Sequence, residues 1–146
     1  MVFTAEEYAY LAGHRLGRLA TIGPDGAPQV HPVALWPNEE AGTIDIGGPA
    51  LPQSQKFRNI QADPRVSLVV DDQAETPNPL GQTGRGIEIR GRAGIVALDP
   101  PLLAVFSSET IRLRPHRVIS WNIGEFVPSP GRLPHLQGYS SRSVSR

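Results

Sequence analysis

Ile44–Asp72 reads IDIGGPALPQSQKFRNIQADPRVSLVVDD, and its punctuation decides what the chain can build. Two strand-like runs, Ile44 to Gly48 and Val66 to Val70, flank a loop and a short amphipathic helix. Ser54 is placed to cap that helix, and Asp63-Pro64 stops it. Phe57 and Ile60 share its inner face, so Lys56 and Asn59 are expected to point elsewhere. Lys56 is the only lysine beside thirteen arginines, and it stands two residues from Arg58, just after Ser54 and Gln55. Cations next to the free amides of a helix start and a glycine pair make a corner suited to an anion such as a phosphate group. The competing reading is that Lys56 and Arg58 are solvated charges on a helix surface, where such pairs are usually inert.

Outward from this stretch the signals are those of short strands. Thr4 with Glu7 forms a capping box and Phe3 with Tyr8 a hydrophobic staple, so a helix starts near Ala5 and ends at Gly13. His14, just past that end, is expected to cap the helix and not to bind a metal. Leu16 to Ile22 and Gln29 to Trp36 read as a hairpin around Gly23-Pro24-Asp25-Gly26. In its second strand Val30, Ala34 and Trp36 alternate with His31, Val33 and Leu35, so both faces are largely apolar, as in a strand buried on two sides or facing a partner subunit. Pro32 has no amide donor, which puts this strand at an edge or a bulge. Thr43 to Gly48 is a third strand, and its terminal Gly47-Gly48 allows close backbone approach.

Arg65 to Val70 is a fourth strand, followed by a polar linker in which Asp71 and Asp72 read as solvated carboxylates. Gly86 to Ala97 is a long strand with a bend at Gly91 and Gly94. Thr110 to Leu113 and Arg117 to Ile123 read as two separate strands around Pro115, with Trp121 in the core. Residues 1–123 thus form one barrel domain; residues 124–146 form an extended or partly disordered tail, with the last ten residues expected to be disordered. Links this short force antiparallel pairing, and the expected fold is mainly β: a six- to seven-stranded antiparallel barrel with an N-terminal helix and one short helix.

Composition removes several functions. The formal net charge is zero over 146 residues, which argues against nucleic acid or an anionic membrane as a partner. There is no cysteine, hence no disulfide and no thiolate metal site, and the four histidines His14, His31, His116 and His135 are too scattered for a metal centre. No apolar run is long enough to span a membrane and the N-terminus is unlike a signal peptide, so a cytoplasmic protein is expected. Gly81-Gln82-Thr83-Gly84-Arg85-Gly86 has the wrong spacing for a dinucleotide fingerprint, and no phosphate loop, zinc-protease motif or serine-nucleophile elbow occurs. An enzyme built on this sequence would rely on a bound cofactor.

Four segments taken together, LGRLATI at 16–22, PDG with PQVHPV at 24–33, KFRNI at 56–60 and DPRV at 63–66, resemble the FMN/F420-binding split β-barrel superfamily of which the pyridoxamine phosphate oxidases are the best-known class. GTIDIGG at 42–48 and RLRPHRVISW at 112–121 resemble its F420-dependent branch, which includes the reductase of the last step of oxytetracycline biosynthesis. The resemblance implies a Greek-key split barrel and a homodimer with cofactor sites at the subunit interface. It implies a ring pocket at His31, Pro32 and Val33 with Ile46, Gly47 and Gly48, and a phosphate site at Ser54, Gln55, Lys56 and Arg58. The implied activity is hydride transfer from reduced F420 to an activated C=C bond of a small molecule, such as a polycyclic polyketide of the dehydrotetracycline kind. His31, Tyr8 or water would supply the proton. Two alternatives stay open: an FMN-dependent oxidase of the pyridoxamine phosphate type, and a split barrel that binds a flavin or other ligand without catalysis.

Overall fold

The structure is a computed structural model that describes residues 1–144. Among the described residues there are seven strands: β1 (Leu16–Ile22), β2 (Pro28–Asn38), β3 (Thr43–Gly47), β4 (Arg65–Gln73), β5 (Gly84–Ala97), β6 (Glu109–Trp121) and β7 (Tyr139–Ser143). They join two helices, α1 (Ala5–Gly13) and α2 (Gln55–Ala62). The sheet runs in the order β3-β2-β1-β4-β5-β6-β7, and a further antiparallel pairing of β3 with β6 closes six strands into a barrel, leaving β7 as an extra edge strand.

The barrel closes because each strand turns a branched aliphatic row inward. Leu19, Leu35, Ile44, Ile46, Leu68, Ile87, Ile89, Ile111 and Leu113 are all at most 1% exposed. Burying one such side chain contributes about 1.5–3 kcal/mol, against about 0–1 kcal/mol for an exposed ion pair, so the interior carries the fold. The capping box of α1 forms as the sequence requires: the Glu7 amide donates to Thr4 Oγ1 at 3.1 Å and the Thr4 amide to Glu7 Oε1 at 2.8 Å.

Three expectations need correction. The two strands around Pro115 are one continuous strand, β6. Its register against β5 shifts between Arg90, opposite Arg117, and Gly91, opposite Pro115, so His116 is the extra residue of a bulge that absorbs the proline. Gly91 makes this possible, since a Cβ there would lie 2.1 Å from the Arg114 carbonyl oxygen. Trp121 is half-buried and outside the core, its ring lying over Gly86 at the strand end. Finally, the tail is not disordered over Tyr139–Ser143, which pairs with β6 from Trp121 to Arg117. Arg142 anchors it, donating to the Val2 carbonyl at 2.7 Å and pairing with Glu7 of α1. Residues 145 and 146 lie outside the described residues.

Candidate functional site

The site begins with the way α2 is seated. Ser54 Oγ accepts from the Phe57 amide at 3.3 Å and donates to the Leu51 carbonyl at 2.6 Å, which fixes the turn before the helix to its first residues. Phe57 and Ile60, 4% and 3% exposed, pin the helix to the barrel. Asn59 does not point away as its neighbours suggested. It is 2% exposed and clamps the helix to the β1–β2 hairpin, with Nδ2 donating to Thr21 Oγ1 at 3.0 Å and to Gln29 Oε1 at 2.9 Å. Its Oδ1 accepts from Gln55 Nε2 at 2.8 Å.

This clamp leaves a cavity of about 70 Å³ between the hairpin and the start of α2. Leu19, Thr21, Gln29 and His31 line it from one side; Ser54, Gln55 and Lys56 line it from the other. Four of the residues expected at a cofactor site, His31, Ser54, Gln55 and Lys56, therefore meet in one place. Lys56 is half-buried and makes no hydrogen bond or ion pair among the described residues. The amides of Gln55 and Lys56, in the first turn of α2, have no intrahelical acceptor and add their partial positive charge. A half-buried cation without a counter-charge beside free amides suits an anion.

The other expected residues lie elsewhere. Arg58 donates to the Gln53 carbonyl at 2.8 Å and to Gln55 Oε1 at 2.9 Å, so it braces the turn and Gln55; it borders an adjoining groove of about 630 Å³ beside Gly23, Pro24 and Arg65. Val33 and Ile46 are 5% and 0% exposed, with their side chains in the core. Gly47 is half-exposed and packed on one side: a Cβ there would meet the Phe106 ring at 2.8 Å and Leu102 at 3.1 Å. The Gly48 carbonyl accepts from the Ser107 amide at 3.0 Å. Pro32 is exposed, on the part of β2 that reaches beyond β3 and pairs with β1 alone. Tyr8 packs against the core from α1 and does not line the cavity.

The sequence profile described as Pyridoxamine 5'-phosphate oxidase matches residues 3–122. The chain belongs to the pyridoxamine 5'-phosphate oxidase family. Among its relatives is the 5a,11a-dehydrotetracycline/5a,11a-dehydrooxytetracycline reductase of Streptomyces rimosus subsp. rimosus, 38% identical over 127 residues, 84% of this chain and 85% of that one. A solved structure named F420 Reductase is 28% identical and superposes with a TM-score of 0.53, covering 79% of this chain and 98% of its own. A FAD-binding protein from Mesorhizobium loti shares the fold at 22% identity and a TM-score of 0.58, covering 81% of this chain and 93% of its own.

Outside the cavity, this pyridoxamine 5'-phosphate oxidase relative carries a second polar cluster at the junction of α1, β4 and β5. Arg85 grips both oxygens of Asp72 at 2.6 and 2.8 Å, the Tyr10 hydroxyl donates to Asp72 at 2.8 Å, and His14 Nε2 lies 3.1 Å from the same carboxylate. The Arg85 guanidinium holds the Asp72 carboxyl well below its usual range, and burial followed by Asp72 pushes the Tyr10 phenol up. His14 also takes its capping place, with Nδ1 2.8 Å from the Tyr10 carbonyl. Asp71 pairs with Arg18 at 2.7 Å, so the acidic pair is bound by arginines and is not simply solvated. None of these residues lines the cavity. Asn59, Thr21 and Gln29 were not singled out from sequence, although Gln55 and Asn59 sit one helical turn apart, and Thr21 and Gln29 face each other across the hairpin.

Proposed function

We propose that the chain is a reductase that takes a hydride from reduced coenzyme F420 and delivers it to an activated C=C bond of a polycyclic polyketide enone of the dehydrotetracycline kind. The observation that carries this reading is the 38% identity to a dehydrotetracycline reductase over 84% of this chain. The cavity supports it, because Lys56 and the first amides of α2 fit a cofactor phosphate. Reduced F420, when bound, supplies a hydride.

The chain's own residues then have defined work. Lys56 and the α2 amides hold the anionic end, while Asn59 and Arg58 fix Gln55 beside it. The ring contact falls to exposed His31 and Pro32 on β2, since the side chains of Val33 and Ile46 are buried. The alkene gains its proton at the α-carbon, and His31, whose exposed side chain makes no hydrogen bond among the described residues, is the side chain at the cavity given the work of holding and moving it.

A cavity of about 70 Å³ is small beside the about 300–1,000 Å³ of small-molecule sites. A second copy of the chain completes the site in this proposal. The outer face of the hairpin supports it, with Leu16 and Val30 63% and 64% exposed beside Ala34 and Pro32. A face that is apolar apart from Arg18, which lies opposite Pro32 and pairs with Asp71, suits a homodimer with the cofactor between subunits.

One observation favours a second reading. The matching profile is that of pyridoxamine 5'-phosphate oxidase, so FMN with an oxidase reaction is the alternative. Titration of the purified protein with F420 and with FMN separates the two, followed by turnover of 5a,11a-dehydrooxytetracycline with reduced F420. Binding of F420 with return of its oxidised absorbance on adding the enone supports the proposal. Binding of FMN alone replaces it with the oxidase reading, and F420 binding without turnover of the enone leaves a ligand-binding barrel.

A further inference from the structure

Trp121, the last residue of β6, pairs across the strands with Tyr139, the first of β7. Immediately after Trp121 the chain turns at Asn122, which has the one positive φ, 55°, of any non-glycine residue among those described. Asparagine is one of the few side chains that tolerates this region. Its neighbours fix it there: Nδ2 donates to Gln82 Oε1 and to the Gly84 carbonyl, both at 3.2 Å, and the Asn122 amide donates to the Gly138 carbonyl at 3.0 Å. Asn122 thus ties the β4–β5 linker and the segment before β7 to the end of β6. A cleft of about 430 Å³ lies where the three meet.

The chemistry of its lining is selective. Trp121, Tyr139 and His135 supply aromatic walls, and Gln82 and Thr83 stand beside them. The lining includes no aspartate, glutamate, lysine or arginine. Among the described residues the Gln82 Nε2, the Thr83 and Tyr139 hydroxyls, the Trp121 indole N–H and the His135 imidazole make no hydrogen bond. Two of these groups, the indole and the amide nitrogen, can only donate, and the hydroxyls can donate as well. Flat aromatic walls favour a planar partner, and free donors without a nearby charge favour carbonyl and phenolic oxygens.

We infer that this cleft is a binding site for a planar, oxygen-rich polycyclic molecule without net charge, separate from the Lys56 cavity, with which it shares no lining residue. The ligand class follows from the cleft itself; only the choice of a tetracycline as probe rests on the proposed reductase activity.

The test uses the full chain labelled with nitrogen-15, free of cofactor and with metal chelated, titrated with tetracycline. The protein has two tryptophans, so two indole N–H resonances are expected, assigned through Trp36→Phe. The Trp121 resonance should shift saturably while that of Trp36 stays in place. Gln82→Ala and Tyr139→Leu should each weaken binding about tenfold, and Lys56→Ala should leave it unchanged. A Trp121 resonance that does not move up to the solubility of the probe, or a response abolished by Lys56→Ala, overturns the site. Parallel titration with F420 keeps the two ideas apart. Failure of F420 to bind beside an intact Trp121 response counts against the reductase alone, and F420 binding without that response counts against the cleft alone.

Discussion

Replacing Asn59 by alanine should lower the unfolding free energy by about 2–3 kcal/mol. Asn59 is 2% exposed and spends its amide on Thr21, Gln29 and Gln55 at 3.0, 2.9 and 2.8 Å. The three partners do not lose equally. Gln29 and Gln55 are exposed, so water replaces Asn59, and the two bonds together cost about 1 kcal/mol. Thr21 is 2% exposed, and its hydroxyl is left without a partner in the interior, which costs about 1–2 kcal/mol. With a urea slope of about 1–3 kcal/mol/M, the midpoint should fall by roughly 1 M at an unchanged slope. Adding Thr21→Val to Asn59→Ala removes the orphaned hydroxyl and should make the double variant at least as stable as Asn59→Ala. F420 affinity should fall with the single change, because Gln55 and Lys56 lose the clamp that positions them. A loss below about 0.5 kcal/mol, the level of an ordinary surface substitution, would show that α2 is held by Phe57 and Ile60 alone and refute the clamp.

Lys56→Ala should reduce F420 affinity by about 10- to 100-fold, the loss of a charge-assisted contact worth about 1.5–3 kcal/mol. The urea midpoint should not move, since Lys56 has no ion pair to lose among the described residues; a drop in stability with unchanged affinity would make it a structural residue. Gly91→Ala puts a methyl group 2.1 Å from the Arg114 carbonyl, a backbone atom that cannot swing aside. It should cost about 3 kcal/mol or more in thermal unfolding, and a wild-type melting temperature would rule out the β5–β6 register. Asp72 gives a pH signature. Its carboxyl is held below the ordinary 3.8 chiefly by Arg85, so the stability it contributes is complete above that value and is lost as pH falls through the lower folded value. The stability difference between wild type and Asp72→Asn should therefore narrow as pH falls below about 4, as followed by urea titration. A difference that does not change down to about pH 2 would mean that Asp72 is not held ionised by Arg85.

The hairpin, the two helices and the barrel class were legible because their signals are local. Gly23-Pro24-Asp25-Gly26 turns the chain, Thr4 and Ser54 start helices, and Asp63-Pro64 stops one, each within a few residues of what it controls. What stayed hidden depends on partners distant in the chain. Pro115 reads as a break because it lacks a donor, yet the bulge at His116 keeps β6 whole, and only Gly91, on another strand, leaves room for it. Tyr-Ser-Ser-Arg-Ser at 139–143 has no strand periodicity; it becomes β7 through β6 and the reach of Arg142 to Val2 and Glu7.

The same reason divides the expected cofactor residues. Ser54, Gln55, Lys56 and His31 sit where α2 meets the overhanging half of β2, which β3 never covers, so they remain open to a ligand. Ile46 was expected beside them, but the closing pair of β3 with β6 sets it against Ile111 and turns it into the core. Gly47 escapes that fate but is packed on one side by Phe106, whose ring also meets Trp36 edge-on at 5.7 Å. Strand closure therefore decides which side chains of the motif can touch a cofactor. The open end of β2 keeps its side chains available, whereas on β3 the Ile46 side chain is taken into the core and half-exposed Gly47 and Gly48 have only backbone to offer.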